Sequence, residues 1–480
     1  MIRWTLGGII CAALALPAFA RGGAAPYPIP KYLGDPATLG RSIQRTMTLL
    51  ATSTPAHPNT VRILFYGQSI TEQDWWHSVA ADLKRRFPNA NLLIENRALG
   101  GFSSQRLVKT AEADLYPSYP DLMIFHVYGS HTDYADIIRR TRERTTAEVM
   151  IQTDHVTKDE DLTEETDPAK LTPDGKIWNS FMNYRQIPDL ARKYGCAVVD
   201  QRNIWKRYLS ENHLHASELL KDGVHPNAFG NYLMAEIVKA YLVRRSDTTV
   251  DPMDCDTVRT SAVGREIRWS GNNLTVPFDG NRVDLLLGGG AAGDFGDVRI
   301  DGKKPSEIPE VYGFTRALST PGGKWPVILK LSSEKPLQLE DWTLQTKRDA
   351  ADSKRYVFTL TGSKTGPDGD GASDARFVSR SGRVVIEPED WDLEYALALP
   401  GIKPVPQTLT VHWSVIPHFA DKIFPPSHDL AVPEAFTVAQ GLANGHHVLQ
   451  ISGNSARFVQ AVRVYRPPVR TEAPPSARLR

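Results

Sequence analysis

The feature that most constrains the fold is a regular alternation of short apolar runs and amphipathic stretches between residues 61 and 245. Residues 61–66 are β-branched and aromatic, as in a buried strand of a parallel sheet. Gly67 then allows a turn, and the next segment carries one helical stripe of apolar side chains, Trp76, Val79, Ala80, Leu83 and Phe87. Such alternation predicts βαβ units, and therefore a parallel sheet in a three-layer α/β/α sandwich.

Periodicity predicts five strands and five helices in this region. The predicted strands are residues 61–66, 91–95, 122–128, 148–153 and 197–200. The predicted helices are residues 75–87, 104–113, 134–142, 177–194 and 228–243. Residues 158–175 are acidic and rich in Thr and Pro, which predicts a long surface insertion at the rim of a substrate site.

The pattern changes after residue 246. Short alternating runs are separated by the turn signals Asp279-Gly280, Asp301-Gly302 and Asn444-Gly445, and no strong helical stripe is present. Residues 257–468 are therefore predicted to form an all-β sandwich domain, or two small ones. The Gly/Asp-rich residues 363–374 are predicted to be a mobile loop, and the tail, residues 469–480, is predicted to be disordered.

The N-terminus has the pattern of a secretory signal peptide over residues 1–20. Arg3 supplies a positive start, residues 4–16 are mostly apolar, and Ala18-Phe19-Ala20 fits a cleavage site. The apolar run is shorter than the roughly 20 residues of a membrane span, so we expect a secreted or periplasmic protein with no membrane partner after cleavage. Residues 21–58 are predicted to be a linker with one amphipathic stretch at 39–50, and residues 59–246 the α/β domain.

Composition limits the other partners. The 480 residues suffice for two or three domains, and a net charge of +1 gives no sign of nucleic-acid binding. Cys11 falls in the signal peptide, and whether Cys196 and Cys255 pair is left open, as is the oligomeric state. His126, His131 and Asp133 do not form an open metal-ligand pattern, so no metal and no cofactor are expected.

Four polar segments follow predicted strands or precede the last predicted helix. In parallel sheets that edge carries the ligand site. The segments are Gly67-Gln68-Ser69-Ile70-Thr71, Asn96-Arg97-Ala98-Leu99-Gly100-Gly101, His126-Val127-Tyr128-Gly129-Ser130-His131-Thr132-Asp133 and Asp222-Gly223-Val224-His225-Pro226-Asn227.

The order of these segments resembles the four sequence blocks of the SGNH, or GDSL-type, hydrolase superfamily. The blocks of that family read Gly-Asp-Ser, a glycine, Gly-x-Asn-Asp and Asp-x-x-His. Ser69, Gly100, Asp222 and His225 match them, and the resemblance covers residues 60–245 only. It implies a serine hydrolase, and the following β region loosely resembles jelly-roll modules beside carbohydrate esterases.

The residue types support that chemistry directly. A serine hydroxyl becomes a good nucleophile only when a base removes its proton, so Ser69 needs His225 within hydrogen-bond reach. A carboxylate on the other ring nitrogen orients the imidazole and stabilises its charge, and Asp222 is the candidate. Alone, the Asp222–His225 pair reads equally as a solvated capping turn, and Ser69 as a helix cap.

An acyl-transfer site also needs donors for the oxyanion. The backbone amides of Ser69 and Gly100 are the predicted pair. The third donor of the family is an asparagine side chain, but His131 stands at its place, Thr132 at that of the next aspartate, and Gln68 replaces the aspartate of the first block. We expect the imidazole of His131 to take over; the alternatives are the amide of Asn96 or a chemistry that differs from that of the family.

A weaker set of residues is predicted to contact substrate. One of two tryptophans could stack on a sugar ring while the other packs in the core, and an Asp-His pair after the fourth strand is a reserve acid/base pair. The set is Gln68, Trp75, Trp76, Asn96, Asp154 and His155.

The sequence therefore predicts an exported serine esterase that removes acyl groups, chiefly O-acetyl, from a polysaccharide or oligosaccharide. Two alternatives stay open. One is a glycoside hydrolase on the same fold that uses Asp222 and Asp154. The other is a non-catalytic glycan-binding protein. A lipid esterase is disfavoured because no apolar lid segment is present.

Overall fold

The computed structural model describes residues 27–174, 178–291, 293–426, 433–453 and 458–470. The predicted signal peptide and all of the predicted tail after residue 470 lie outside these ranges. Within them, no helix combines the length and the apolar character needed to cross a membrane.

The N-terminal domain is built on a five-stranded parallel sheet with the order β2-β1-β3-β4-β5. Its strands are β1 Thr60–Gly67, β2 Asn91–Asn96, β3 Leu122–His126, β4 Glu148–Gln152 and β5 Ala197–Val199. Its helices are α1 Gln44–Thr52, α2 Trp75–Arg86, α3 Ser104–Asp114, α4 His131–Arg144, α5 Trp178–Phe181, α6 Ile187–Tyr194, α7 Gln201–Asn212 and α8 Ala228–Tyr241.

Helices cover both faces of this sheet, because alternate side chains of each strand point to opposite sides. In β1, Ile63 and Phe65 pack with α1, α2, α7 and α8, whereas Leu64 and Tyr66 pack with α3, α4 and α6. The structure confirms the predicted three-layer α/β/α sandwich. Chain order reverses between β1 and β3, so the loops that follow these two strands meet at the edge where such sheets bind ligands.

Three local differences from the sequence prediction bear on the site. Helix α4 begins at His131, three residues early, because Ser130 caps it by accepting a hydrogen bond from the Asp133 amide at 3.2 Å. The predicted fourth helix is interrupted by a π-helical turn at Met182–Gln186. The amphipathic stretch ahead of the sheet forms α1 and packs Met47 and Leu50 into the α/β core.

The C-terminal region is antiparallel, which confirms the predicted all-β class. Its strands are β6 Val258–Ala262, β7 Asn273–Leu287, β8 Gly296–Ile300, β9 Tyr312–Phe314, β10 Leu318–Thr320, β11 Asp341–Arg348, β12 Tyr356–Gly362, β13 Gly366–Ala372, β14 Phe377–Val378, β15 Val385–Ile386, β16 Thr408–Pro417, β17 Lys422–Ile423, β18 Glu434–Ser452 and β19 Val459–Tyr465. One short helix, α9 Leu393–Ala398, lies between β15 and β16.

Two six-stranded sheets hold all of these strands except β14 and β15, which pair with each other, and one large sheet is nested within the other along the chain. The outer sheet has the order β17-β8-β18-β7-β19-β6, and the inner sheet has the order β10-β16-β11-β12-β13 with β9 also pairing β16. The inner unit lies in sequence between β8 and β17, and each sheet has its own hydrophobic core. The two ends of the inner unit meet, since Tyr312 of β9 pairs with Pro417 of β16.

The Gly/Asp-rich segment is not a loop, contrary to the sequence prediction. It forms the hairpin of β12 and β13, because glycine at Gly366 and Gly369 adopts the positive φ values of 76° and 129° that its turn and bulge require. The two cysteines outside the signal peptide are both free thiols, with Cys196 buried and Cys255 half-buried.

Ion pairs join the inner β unit to the α/β domain. Arg106 of α3 binds Asp392 through Nε and Nη2, at 2.6 and 3.2 Å. Arg316 donates from Nε to Oδ1 of buried Asp114 at 2.7 Å and from Nη2 to the Arg97 carbonyl at 2.9 Å. These contacts seat the second domain beside the loop that follows β2.

Candidate active site

The structure brings Ser69, His225 and Asp222 together although 156 residues separate the first two. The Ser69 hydroxyl Oγ lies 2.8 Å from Nε2 of His225. Nδ1 of the same ring lies 2.9 and 3.0 Å from the two carboxylate oxygens of Asp222. Since a carboxylate accepts, Nδ1 carries the proton and Nε2 is free to accept the serine proton. This arrangement can activate a serine nucleophile.

Hydrogen bonds donated by His225 also change the pKa of Asp222. The His225 backbone amide donates to Oδ1 at 2.8 Å, and this bond, followed by that of the His225 ring, lowers the pKa of Asp222 below its ordinary value. The carboxylate is therefore ionised at neutral pH, as an orienting group must be.

The loop that presents Ser69 is fixed by main-chain contacts. The Asn96 side-chain amide donates to the Thr71 carbonyl at 2.7 Å, and the Trp75 indole donates to the Ile70 carbonyl at 2.7 Å. At the end of β1, a Cβ on Gly67 would lie 2.1 Å from the His126 carbonyl oxygen, so only glycine allows the close approach of β1 and β3 there.

The loop that presents His225 is anchored at the start of α8. Asn227 caps this helix by accepting from the amides of Phe229 and Gly230 at 2.8 and 3.1 Å. On the preceding turn, the Lys221 amide donates to the His225 carbonyl at 2.9 Å. One buried side chain also reaches this turn: Nε2 of His155 lies 2.7 Å from the Val224 carbonyl oxygen.

The predicted oxyanion donor Gly100 is occupied in this conformation. Its backbone amide donates to Oε1 of Glu72 at 2.7 Å, and Lys324 of the inner β unit pairs with the same oxygen. The Gly100 amide thus already binds an anion, which is the property an oxyanion donor needs. For an oxyanion to bind it, the Glu72 carboxylate has to move away.

The inner β unit also holds the backbone at this point. The Trp325 indole donates to the Gly100 carbonyl at 2.8 Å, and the Tyr395 hydroxyl donates to the Gly101 carbonyl at 2.5 Å. The Leu399 side chain lies against Gly101 as well. The segment that carries the predicted oxyanion donor is therefore positioned from both domains.

His131, the predicted replacement for the family's asparagine, packs among aromatic rings. Its imidazole stacks on Trp178 and lies against Phe181, with ring centroids 5.0 Å apart in both cases. Burial lowers the pKa of His131, and its Nε2 is enclosed without a hydrogen-bond partner among the described residues. The ring is neutral and structural in this conformation, and the oxyanion role stays a prediction.

Three of the residues predicted to contact substrate are buried. Trp75 is 0 % exposed and packs in the core against Phe65, so it cannot stack on a sugar. Asp154 is 4 % exposed; Nε2 of His126 and Nδ2 of Asn183 bind its two carboxylate oxygens at 3.0 and 2.9 Å. His155 is fully buried. The sequence could not show the burial of Asp154 and His155, since both residues follow β4 at the sheet edge that also carries the site.

The remaining three predicted residues lie near the surface loop of Ser69. Gln68 is buried, with Nε2 unpartnered among the described residues, and Asn96 is engaged with Thr71. Trp76 is half-exposed and lines an open cleft of about 1080 Å³ between the two domains. Other residues that line this cleft are Glu72, Asn96, Arg316, Lys324 and His412.

Sequence reasoning missed Glu72, Lys324, Trp325 and Tyr395. Glu72 lies three residues after Ser69, so its place in the nucleophile loop was a usable signal. The other three belong to the β region, more than 220 residues from Gly100, and nothing in the local pattern marks them. Within the described residues, no three His, Cys, Asp or Glu side chains converge to hold a metal ion.

The sheet order, the serine after β1 and the Asp-His pair before α8 define the class: in fold and in site the chain resembles the SGNH hydrolases. Neither a family model nor a curated protein sequence matches the chain.

Solved structures are similar to it at low identity. Axe2, an acetylxylan esterase from Geobacillus stearothermophilus, is 16% identical over 40% of this chain and 100% of its own, with a TM-score of 0.33. CEX, a two-domain esterase active on acetylated mannans, is 12% identical over 89% of this chain and 96% of its own, with a TM-score of 0.33. LAE5, an α/β hydrolase enzyme from the metagenome of Lake Arreo, Spain, is 18% identical over 39% of this chain and 98% of its own, with a TM-score of 0.31.

Proposed function

We propose that this protein is a serine esterase that removes acyl groups, chiefly O-acetyl, from a polysaccharide or oligosaccharide. The observation that carries the proposal is the hydrogen-bonded chain from Ser69 through His225 to Asp222. Two features support a carbohydrate substrate: the resemblance to carbohydrate esterases, and a cleft beside the site with the half-exposed indole of Trp76 in its wall.

The reaction follows from the geometry. Ser69 Oγ attacks the acyl carbon while Nε2 of His225 takes the hydroxyl proton, which forms a tetrahedral oxyanion and an imidazolium. Asp222 stabilises that charge from Nδ1. The imidazolium returns its proton to the sugar oxygen as the bond to the acyl carbon breaks, leaving an acyl-serine. Water, deprotonated by His225, then attacks the acyl-serine and releases the carboxylic acid and free Ser69.

Hydrolysis of p-nitrophenyl acetate by wild type and Ser69→Ala tests the serine mechanism. We expect the variant to lose turnover by at least about a thousand-fold, and a phosphonylating reagent to label wild type once, at Ser69. Ser118→Ala is the matched control, because among the described residues that hydroxyl bonds just the Leu115 carbonyl, and its loss should leave turnover unchanged. A wild type that neither hydrolyses the ester nor is labelled would overturn the proposal.

Release of acetate from acetylated xylan and acetylated mannan tests the substrate class. Wild type should release acetate from at least one of them, and Ser69→Ala from neither. New reducing ends that persist in Ser69→Ala would instead favour a glycosidase. The glycosidase reading is weakened by Asp154, whose carboxylate is buried and bonded on both oxygens.

We also propose that the chain is exported, on the strength of the pattern over residues 1–20. Expression of the full sequence in a Gram-negative host should yield a protein in the periplasm or medium whose N-terminus is Arg21. Full-length protein confined to the cytoplasm would contradict this.

A further inference from the structure

The turn that carries Asp222 and His225 has little burial of its own. Residues 221–224 are all exposed, and Val224 leaves 42 % of its surface in solvent. Such a turn needs an external contact to hold a catalytic ring to within an ångström. The contact from the domain interior is the hydrogen bond between His155 and the Val224 carbonyl, at 2.7 Å.

Burial fixes the chemical state of His155. The side chain is 0 % exposed, and burial, followed by the charge of nearby His126, lowers its pKa to about 4. The ring is therefore neutral and has a single N–H. Because a carbonyl oxygen only accepts, that proton is on Nε2 and points at Val224. Nδ1 has no hydrogen-bond partner among the described residues.

The imidazole is itself held rigidly. Arg202 donates from Nη1 to the His155 carbonyl at 3.0 Å and binds Glu164 through Nε and Nη2 at 2.6 and 2.8 Å. The Trp205 ring packs beside the imidazole, with centroids 5.4 Å apart. His155 is thus a fixed donor on a rigid interior, facing an exposed turn.

The peptide group between Val224 and His225 is hydrogen-bonded at both its carbonyl and its amide. His155 binds its carbonyl oxygen, and Asp222 accepts a hydrogen bond from its amide, at 2.8 Å. The orientation of this peptide sets where the Cα of His225 lies and so where its ring points. Losing one of these two hydrogen bonds lets the peptide rotate and moves Nε2 of His225 relative to Ser69.

We propose that His155 is a positioning residue for the His225 base, acting through the Val224 carbonyl. The proposal rests on the proposed serine esterase for its kinetic consequence, but its structural consequence can be measured independently. His155 does not touch the reacting atoms. Its effect is on the fraction of time that the imidazole of His225 is aligned with the Ser69 hydroxyl.

The test compares His155→Leu, which removes the donor, with His155→Gln, whose side-chain amide can reach the same carbonyl. We expect His155→Leu to lower kcat for p-nitrophenyl acetate by about 10- to 100-fold with KM within threefold, as a misplaced catalytic group does. His155→Gln should recover kcat to within about fivefold of wild type. Phosphonylation of Ser69 should slow in parallel.

Hydrogen exchange provides the readout that does not depend on activity. Amides of residues 221–226 should exchange at least about tenfold faster in His155→Leu than in wild type, while those of β1 to β4 keep their protection. His447→Gln is the matched control: it alters a largely buried histidine of the outer sheet that binds Asp301 and not the turn. It should leave both kcat and exchange at 221–226 close to wild type.

A folded His155→Leu variant with unchanged kcat and unchanged exchange at 221–226 would overturn the proposal. So would a His155→Gln variant as slow as His155→Leu. If His155→Leu fails to fold, His155→Ala, which also removes the donor, takes its place in both measurements. A wild type without esterase activity would contradict the proposed function. Faster exchange in His155→Leu would then still support the positioning of the turn by the hydrogen bond from His155 to Val224.

Discussion

Single residues cover the predicted oxyanion donor, the backbone amide of Gly100. Glu72 covers the Gly100 amide, and Lys324 holds Glu72 in place. The ion pair is partly exposed, so its rearrangement costs little compared with that of a buried pair. The free conformation is thus one in which a carboxylate competes with the substrate oxyanion for one donor.

Glu72→Ala should increase kcat/KM for p-nitrophenyl acetate severalfold, because the Gly100 amide then needs no displacement before the oxyanion forms. Steady-state kinetics measures this. Glu95→Ala is the control, since Glu95 is an exposed carboxylate that pairs with Arg97 on the same strand end. A large fall in kcat/KM for Glu72→Ala, in a protein of normal stability, would show instead that the carboxylate assists the reaction.

The buried imidazole of His155 should make stability depend on pH. Its folded pKa, about 4, lies below the ordinary 6.5, so the unfolded chain binds a proton over a range in which the folded protein does not. The contribution is complete above pH 6.5 and is lost as the pH falls towards 4. We expect the free energy of unfolding, measured in urea, to fall between pH 7 and pH 5 by about 2 kcal/mol more in wild type than in His155→Gln. Equal losses in the two proteins would contradict this.

The same scale shows what sequence could and could not reveal. Ser69, Asp222 and His225 are recognisable because each lies in a short block at the end of a strand or before a helix. The burial of Trp75, Asp154 and His155 is not recognisable, because it depends on packing against segments much later in the chain, including Asn183, α7 and α8. Lys324 and Trp325 reach the site through tertiary contacts that leave no local pattern.

At the scale of elements, periodicity located every strand of the parallel sheet, since alternation of apolar side chains is a local property. Boundaries were less well located. Helix α4 begins early because the Ser130 cap lies outside the apolar stripe that marks the helix. The hairpin of β12 and β13 was missed because its glycines are typical of loops, although here they serve a turn and a bulge.

Gly67→Ala should weaken the junction of β1 and β3. A Cβ there would meet the His126 carbonyl oxygen at 2.1 Å and the Thr71 hydroxyl at 2.4 Å, and the carbonyl belongs to the paired strand. We expect the free energy of unfolding to fall by roughly 2 kcal/mol or more, and activity to fall because the Ser69 loop shifts. Gly445→Ala is the control, since nothing lies within 4 Å of the Cβ it would add. A Gly67→Ala protein as stable as wild type would contradict the expectation.

At the scale of the whole molecule, the two domains act as one unit at the site. Arg316 binds the buried carboxylate of Asp114, whose pKa burial raises despite the arginine. The Trp325 and Tyr395 bonds to the Gly100–Gly101 backbone depend on the same interface. The β region is thus part of the active-site structure and more than an appendage.

Arg316→Ala should lower the free energy of unfolding by roughly 3 kcal/mol, because it leaves the Asp114 carboxylate buried without its partner. Urea unfolding measures the loss. The double variant Arg316→Ala/Asp114→Ala should lose less than the single one, since no charge remains buried. A double variant that loses more would show that the arginine acts mainly through its bonds to the Arg97 and Lys324 carbonyls.

The nesting of one β unit inside the other has a consequence for synthesis on the ribosome. Strand β7 ends at residue 287, but its partner β18 does not begin until residue 434. The fifteen residues of β7 therefore leave the exit tunnel well before their neighbour is translated. The inner unit, whose ends pair at Tyr312 and Pro417, can fold during that delay and bring the two halves of the outer sheet together. Slow translation across this unit should accordingly favour a correct product over aggregation.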